Sequence, residues 1–212
     1  MTTNVYIDGF NLYYGALKYR WPQYKWLDLE SFCESLLPGR TVKRIRYFSA
    51  RFRRAQVSAG TRRRHQTYLR ALRTQPRVDI HLGTFLSHPV RMPLVNPPAS
   101  GPSSVLVQKT EEKGTDVNLV SYLLLDCFKQ DFDEAVVISN DSDMATAVEI
   151  VMKEFGKPVG VINPGTRKNA SSYLQSVASW SYATINRRHF ANNQFGHSLT
   201  DGRGTFSKPP SW

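Results

Sequence analysis

The sequence predicts an α/β protein with helices on both faces of a mostly parallel sheet, a three-layer sandwich. Three observations predict it. Strand-like and helix-like segments alternate along most of the 212 residues. The run Ala135-Val136-Val137-Ile138 is apolar at every position, as a strand covered on both faces must be. The hydrophobic content of 41% suffices for one well-buried core.

The elements follow in order. Residues 5–7 read as a strand, and Asp8-Gly9-Phe10-Asn11 as a turn. Phe10, Tyr13 and Tyr14 then have helical spacing. Asp28 is an N-cap candidate for a helix whose Leu29, Phe32, Cys33, Leu36 and Leu37 share one face, ended by Pro38-Gly39. Residues 42–48 alternate imperfectly, as a strand. Residues 61–75 form a helix with Tyr68, Leu69 and Leu72 inward, and residues 78–86 a strand. The segment 87–104 carries five prolines and predicts an inserted mobile hairpin or loop, from which 105–107 returns as a strand. Residues 116–128 are apolar on most sides, which marks a buried helix. A strand over 135–139, a helix over 142–155, a strand over 159–162, a helix over 171–177 and a last strand over 182–185 complete the alternation. Past Asn192 the composition turns polar, and the tail is expected to be superficial or loose.

A doubly wound sheet starts in the middle, so the first strand and the Val136 strand should be neighbours at the switch point. Ligands bind beyond the carboxyl ends of strands there. Asp8 and Asp141 occupy those ends, with Asp143 two residues on and Asp116 opening the buried helix. Three or four converging carboxylates must hold protons or a cation, and hard oxygen ligands select Mg²⁺ or Mn²⁺. Each aspartate alone also reads as a helix cap or a first-turn acid favoured by the dipole. Their coincidence on one rim favours a metal site.

Charge points the same way. The formal net charge is +11. Between Glu34 and Asp79 no acid occurs, against thirteen bases: Arg40, Lys43, Arg44, Arg46, Arg51, Arg53, Arg54, Arg62, Arg63, Arg64, Arg70, Arg73 and Arg77. A phosphate-binding surface is the reading this favours over a solvated face. The aromatics Tyr13, Tyr14, Trp21, Tyr24 and Trp26 lie beside Arg20 and Lys25. They either pack the loop before the second helix or stack bases of single-stranded RNA.

Cys33 and Cys127 sit in apolar helical patterns, as buried free thiols. No run approaches the length of a membrane span, so a soluble cytoplasmic protein is expected. The five histidines show no zinc spacing, and no dinucleotide fingerprint, Walker loop or serine elbow occurs.

Three segments resemble the signatures of the NYN domain, LabA-like branch, of the PIN-like nuclease superfamily. They are Val5-Tyr6-Ile7-Asp8-Gly9-Phe10-Asn11-Leu12-Tyr13, Lys109-Thr110-Glu111-Glu112-Lys113-Gly114-Thr115-Asp116-Val117 and Val137-Ile138-Ser139-Asn140-Asp141-Ser142-Asp143. The resemblance implies a PIN-like Rossmannoid fold over residues 1–190, with 191–212 as a polar C-terminal extension. It implies metal-dependent ribonuclease activity, with Asp8, Asp116 and Asp141 as Mg²⁺ or Mn²⁺ ligands and Asp143 a ligand directly or through water. Asn11 would orient Asp8 or touch phosphate, and Ser139 would tie the acidic loop. Many members have Gly where this chain has Asn140, and Phe where it has Met144.

Lys109 and Lys113 flank the Asp116 motif, Arg51, Arg53 and Arg54 leave the second strand on the carboxyl-end rim, and Arg62, Arg63 and Arg64 start a helix. All eight are candidates for contacting RNA, single-stranded or structured. The expectation is therefore a divalent-metal ribonuclease, endonucleolytic in mode, with a homodimer left open. The alternatives are a non-catalytic RNA-binding module and a haloacid-dehalogenase-like phosphatase. For the last, Asp141-Ser142-Asp143 comes too late in the chain.

Overall fold

A computed structural model describes residues 1–52 and 57–212. Arg53 and Arg54 of the basic stretch lie outside the described residues. The strands are β1 (Thr2–Asp8), β2 (Thr41–Arg51), β3 (Val78–Pro93), β4 (Ser104–Lys113), β5 (Glu134–Ile138), β6 (Val159–Ile162), β7 (Trp180–Tyr182), β8 (Ser198–Asp201) and β9 (Gly204–Ser207). The helices are α1 (Gly9–Leu12), α2 (Leu29–Leu36), α3 (Ala59–Leu72), α4 (Thr115–Phe128), α5 (Ala145–Lys153), α6 (Ser172–Ser176) and α7 (Arg187–Ala191).

Seven strands form one sheet in the order β4-β3-β2-β1-β5-β6-β7. Every adjacent pair is parallel except β3 and β4. The chain starts in the middle and winds both ways, and β1 pairs with β5 with Val5 opposite Val136. The α/β fold with a mostly parallel sheet flanked by helices is thus the one the sequence predicts.

Strand alternation divides the core. Val5, Ile7, Ile45, Val136 and Ile138 point to the face covered by α2, α3 and α7. Tyr6, Phe48, Ala135, Val137 and Val161 point to the face covered by α4, α5 and α6. Gly9 permits the closest approach: a Cβ there would lie 2.5 Å from the Phe48 carbonyl oxygen and 2.7 Å from the Tyr47 ring. Glycine is what lets α1 leave β1 directly over β2. Cys33 and Cys127 are buried free thiols. Among the described residues no helix is long and apolar enough to cross a membrane.

The proline-rich segment takes the hairpin form of the two expected, with β3 and β4 paired from Thr84↔Lys113 to Pro93↔Ser104 and residues 94–103 outside the strands. Among the described residues β2 pairs with β3 only as far as Thr84, so prolines beyond that point interrupt no described ladder on that side. Two expectations are corrected. The last strand of the main sheet comes earlier than expected, at Trp180–Tyr182. Trp180 lies over Gly160, where a Cβ would sit 2.1 Å from its ring, and its Nε1–H donates to Glu134 at 2.8 Å. Ile185, which suggested the later strand, is buried outside it. The tail is not loose. β8 and β9 form a hairpin, Phe206 and Trp212 pack against buried Trp26, and Arg70 grips both carboxylate oxygens of Asp201.

The basic stretch is divided. Arg40 pairs with Glu134, Lys43 with Asp131, Arg44 with Asp79 and Asp131, Arg46 with Asp126, Arg70 with Asp201, and Arg77 with Glu30 and Glu34. Among the described residues six of these bases thus pair with acids from outside the stretch. The best buried pair is Arg46 with Asp126, bidentate at 2.6 and 2.7 Å, with the Tyr6 hydroxyl donating to the same carboxylate at 2.8 Å. Burial, then the Asp126 charge, holds the Tyr6 phenol far above its ordinary pKa.

Removing one member of such a pair strands the other charge. Asp126→Ala is expected to cost about 3–5 kcal/mol, read as a lower midpoint in urea unfolding. A midpoint equal to wild type rules out a structural role for the pair.

Candidate functional site

The site forms where β1 and β5 end side by side. Asp8 closes β1, is 2% exposed, and caps α1. Its Oδ1 accepts from the backbone N–H of Phe10 at 3.0 Å and of Asn11 at 2.9 Å. Its Oδ2 accepts from Asn11 Nδ2 at 2.6 Å and Ser139 Oγ at 3.0 Å. Four donors surround this one buried carboxylate and hold it in place.

Ser139 joins the two strand ends. It is fully buried, donates to Asp8 and accepts from the Asp141 N–H at 3.1 Å. Asn140 accepts from the Ser171 N–H at 2.7 Å and donates to the Asn169 carbonyl at 2.7 Å, while its own N–H donates to Asn11 Oδ1 at 3.3 Å. The loop after β5 is therefore clamped from both sides. Asp141 caps the short turn Ser142–Met144 by accepting from the Asp143 N–H at 3.0 Å. Asp116 lies in the first turn of α4.

Asp8, Asn11, Asp116 and Asp141 line one open pocket of about 270 Å³, walled on its apolar side by Phe10, Tyr14 and Phe85. Asp143 is exposed and does not line it. Glu112, which the sequence reading passed over, does line it. Its Oε1 accepts from the Thr115 N–H at 3.1 Å and also from the Thr115 hydroxyl. Gly83 makes room: a Cβ there would fall 2.5 Å from that same oxygen. An acid three residues before a helix-opening Thr was the signal that would have found Glu112.

Crowding raises the Asp116 pKa from 3.8 to about 6, through burial first and then the charges of Asp8, Asp141, Glu112 and Asp143. The donor set is all oxygen and of one sign, which suits a hard divalent ion. Among the described residues no group of three or more His, Cys, Asp or Glu side chains is placed to hold a metal ion, so the four-aspartate cluster expected from the sequence is not assembled as such. Mg²⁺ retains several waters and is often bound through one or two carboxylates, so this open set fits it chemically.

The bases fall in three places. Lys109 and Lys113 both pair with Glu111, at 2.6 and 3.3 Å, and are not free to meet a phosphate without breaking that contact. Arg51, Arg62 and Arg63 share a depression of about 420 Å³ with Arg73 of the same basic stretch and with Arg203, which lies outside it. Arg64 turns instead into an adjoining aromatic cavity.

The sequence matches the family described as NYN domain over residues 2–186. It is 31% identical, over 239 aligned positions, to 6-hydroxy-3-succinoylpyridine 3-monooxygenase HspA of Pseudomonas putida, covering 100% of this chain and 75% of that one. Among solved structures, it is similar to a protein of unknown function from Vibrio parahaemolyticus. The TM-score is 0.55 at 16% identity, covering 88% of this chain and 93% of the other. That likeness carries the fold alone.

The raised Asp116 pKa has a testable sign. Between pH 3.8 and about 6 the folded protein binds more protons at Asp116 than the unfolded chain. The stability contributed by its protonation is present at low pH and lost as pH rises through about 6. In chelator, Asp116→Asn should therefore melt higher than wild type at pH 7.5, with the gap closing as pH falls toward 4. Mn²⁺ should raise the wild type's melting point and not the variant's. A gap independent of both pH and Mn²⁺ would remove the like-charge cluster from consideration.

Proposed function

The chain belongs to the NYN domain family, a nuclease-type family, and on that premise we propose that it is a Mg²⁺- or Mn²⁺-dependent ribonuclease. The finer placement we propose is the LabA-like branch, with residues 1–190 as the nuclease domain. One observation carries the reading. A half-buried Asp116, its pKa raised to about 6 by burial first and then by neighbouring carboxylates, shares a pocket with Asp8 and Asp141 beyond the ends of β1 and β5, where this architecture binds ligands.

Asp116 and Asp141 would hold the ion. All four acceptor positions of Asp8 are occupied, so it would contribute charge, and direct ligation only if Asn11 Nδ2 swings away. Asp143, on the rim, would act through water, and Glu112 would add charge. When bound, a divalent ion neutralises phosphodiester oxygens and acidifies a water. The chain's own residues do the rest. Ser139 and Asn140 fix the loop that carries Asp141. Phe10, Tyr14 and Phe85 dry one side of the pocket, which strengthens electrostatic contacts inside it. Arg51, Arg62 and Arg63 would receive backbone phosphates of RNA.

The test uses labelled linear and circular RNA, and DNA, with Mn²⁺ or with chelator. The expected result is metal-dependent cutting of RNA, including opening of the circle. Asp116→Asn and Asp141→Asn should each cut on the order of a hundredfold more slowly. Salt-sensitive RNA binding with no cutting would make the protein a binding module instead. Cutting that both variants retain would come from another active site.

A second reading is favoured by the relative named as a monooxygenase, which aligns along this whole chain. Oxygen uptake with 6-hydroxy-3-succinoylpyridine and a reductant, absent without the pyridine, would support it over RNA cleavage.

A further inference from the structure

Beside the acidic pocket lies a second cavity of about 470 Å³, and its walls are aromatic: Tyr13, Tyr14, Tyr47, Phe52, Tyr68 and Trp212. Phe10 and Tyr14 line both spaces, with their rings stacked at 6.5 Å, and form the partition. On its other side, Phe52 and His65 line both this cavity and the arginine depression. Three spaces thus run on from one another: carboxylates, then aromatic rings, then arginines.

The aromatic cavity is not apolar throughout. Lys18, Lys25 and Arg64 also line it. Among the described residues none of the three is in an ion pair. Arg64 donates to the Thr61 hydroxyl, Lys25 lies 5.8 Å from the Tyr13 ring centre, and Lys18 lies over Tyr14 and Tyr19. Burial, then the charges of Arg64 and Lys18, lowers the Lys25 pKa. Three crowded cations beside flat walls suit a planar ring with an anionic group joined to it, as a nucleobase has in its backbone phosphate.

We propose that this cavity is a base-stacking subsite, seating an unpaired nucleobase of a single-stranded RNA whose neighbouring phosphodiester lies in the acidic pocket. The strand then continues past Phe52 to Arg51, Arg62, Arg63, Arg73 and Arg203. A small aromatic acid would fill the middle space alone. A polymer that alternates planar rings with phosphates matches the whole sequence of surfaces. The subsite rests on the ribonuclease reading for its placement next to a scissile bond. Its recognition of ring and charge does not. Trp212 belongs to the C-terminal extension, so that extension would build part of the substrate surface.

The test measures binding in chelator, where cutting is silent, with a short fluorescent single-stranded RNA, the same RNA as a duplex, and an abasic strand of equal length. The intact single strand should bind best. Tyr14→Ala, at a half-exposed side chain, and Trp212→Ala should each weaken its binding roughly tenfold and leave abasic binding unchanged. Lys25→Gln should weaken both strands. Equal binding of intact and abasic strands would overturn the proposal. So would full-strength binding by all three variants, or saturation by 6-hydroxy-3-succinoylpyridine that RNA does not displace. Base-dependent binding without cutting in Mn²⁺ would sink the ribonuclease reading and keep the subsite. Cutting without base-dependent binding would do the reverse.

Discussion

One buried carboxylate organises the working edge of this protein. Asp8 takes two hydrogen bonds from the backbone that turns into α1, one from Asn11 and one from Ser139 at the end of β5. A carboxyl group at 2% exposure is tolerable only with such compensation. The same bonds fix the angle at which β1 gives way to α1 and hold the Ser139 turn against it. Asp141 is then placed by the Ser139 hydroxyl, and the Asn140 side chain carries the constraint on to residues 169–171. Local capping and the shape of the acidic pocket are therefore one network. A cap and a contribution to the pocket's charge are not rival roles for Asp8.

Charge is sorted with similar economy. The long acid-free stretch looked like a single phosphate-binding belt, yet its members at the start of β2 and beyond α3 meet partners elsewhere in the chain. Arg40 reaches Glu134, and Arg46 lies beneath the sheet with Asp126 and Tyr6. Such pairs need planar, bidentate donors, which explains arginine rather than lysine at position 46. Arg51, Arg62, Arg63 and Arg73, joined by Arg203 from the tail, remain around one depression. The surface that could attract a polyanion is narrower than composition suggests, and it is continuous with the aromatic cavity.

What the sequence made legible follows from regular physics. A wholly apolar Ala135–Ile138 reads as a covered strand, and right-handed crossovers then place it beside β1. That put Asp8 and Asp141 on one rim before any coordinates. Glu112 was missed because its place depends on Gly83, which lies 29 residues earlier and admits its carboxylate. Trp21 and Trp26 turned out to be core, whereas Tyr13 and Tyr14, a few positions away, line cavities. Composition did not separate these two fates. The tail hairpin was hidden by its polarity, since a few side chains, notably Arg70, Phe206 and Trp212, anchor a polar ribbon.

The central position of β1 bears on how the chain is made. Thr3 hydrogen-bonds to Glu134 across 131 residues, and β5 is the strand that covers that side of β1. At ribosomal speed the partner emerges on the order of ten seconds after β1 does. Throughout that interval the nascent strand Val5-Tyr6-Ile7 offers open backbone donors and acceptors along one edge, a template for wrong pairing. Slower synthesis of the residues between β1 and β5 would lengthen that interval, and with it the opportunity for misfolding.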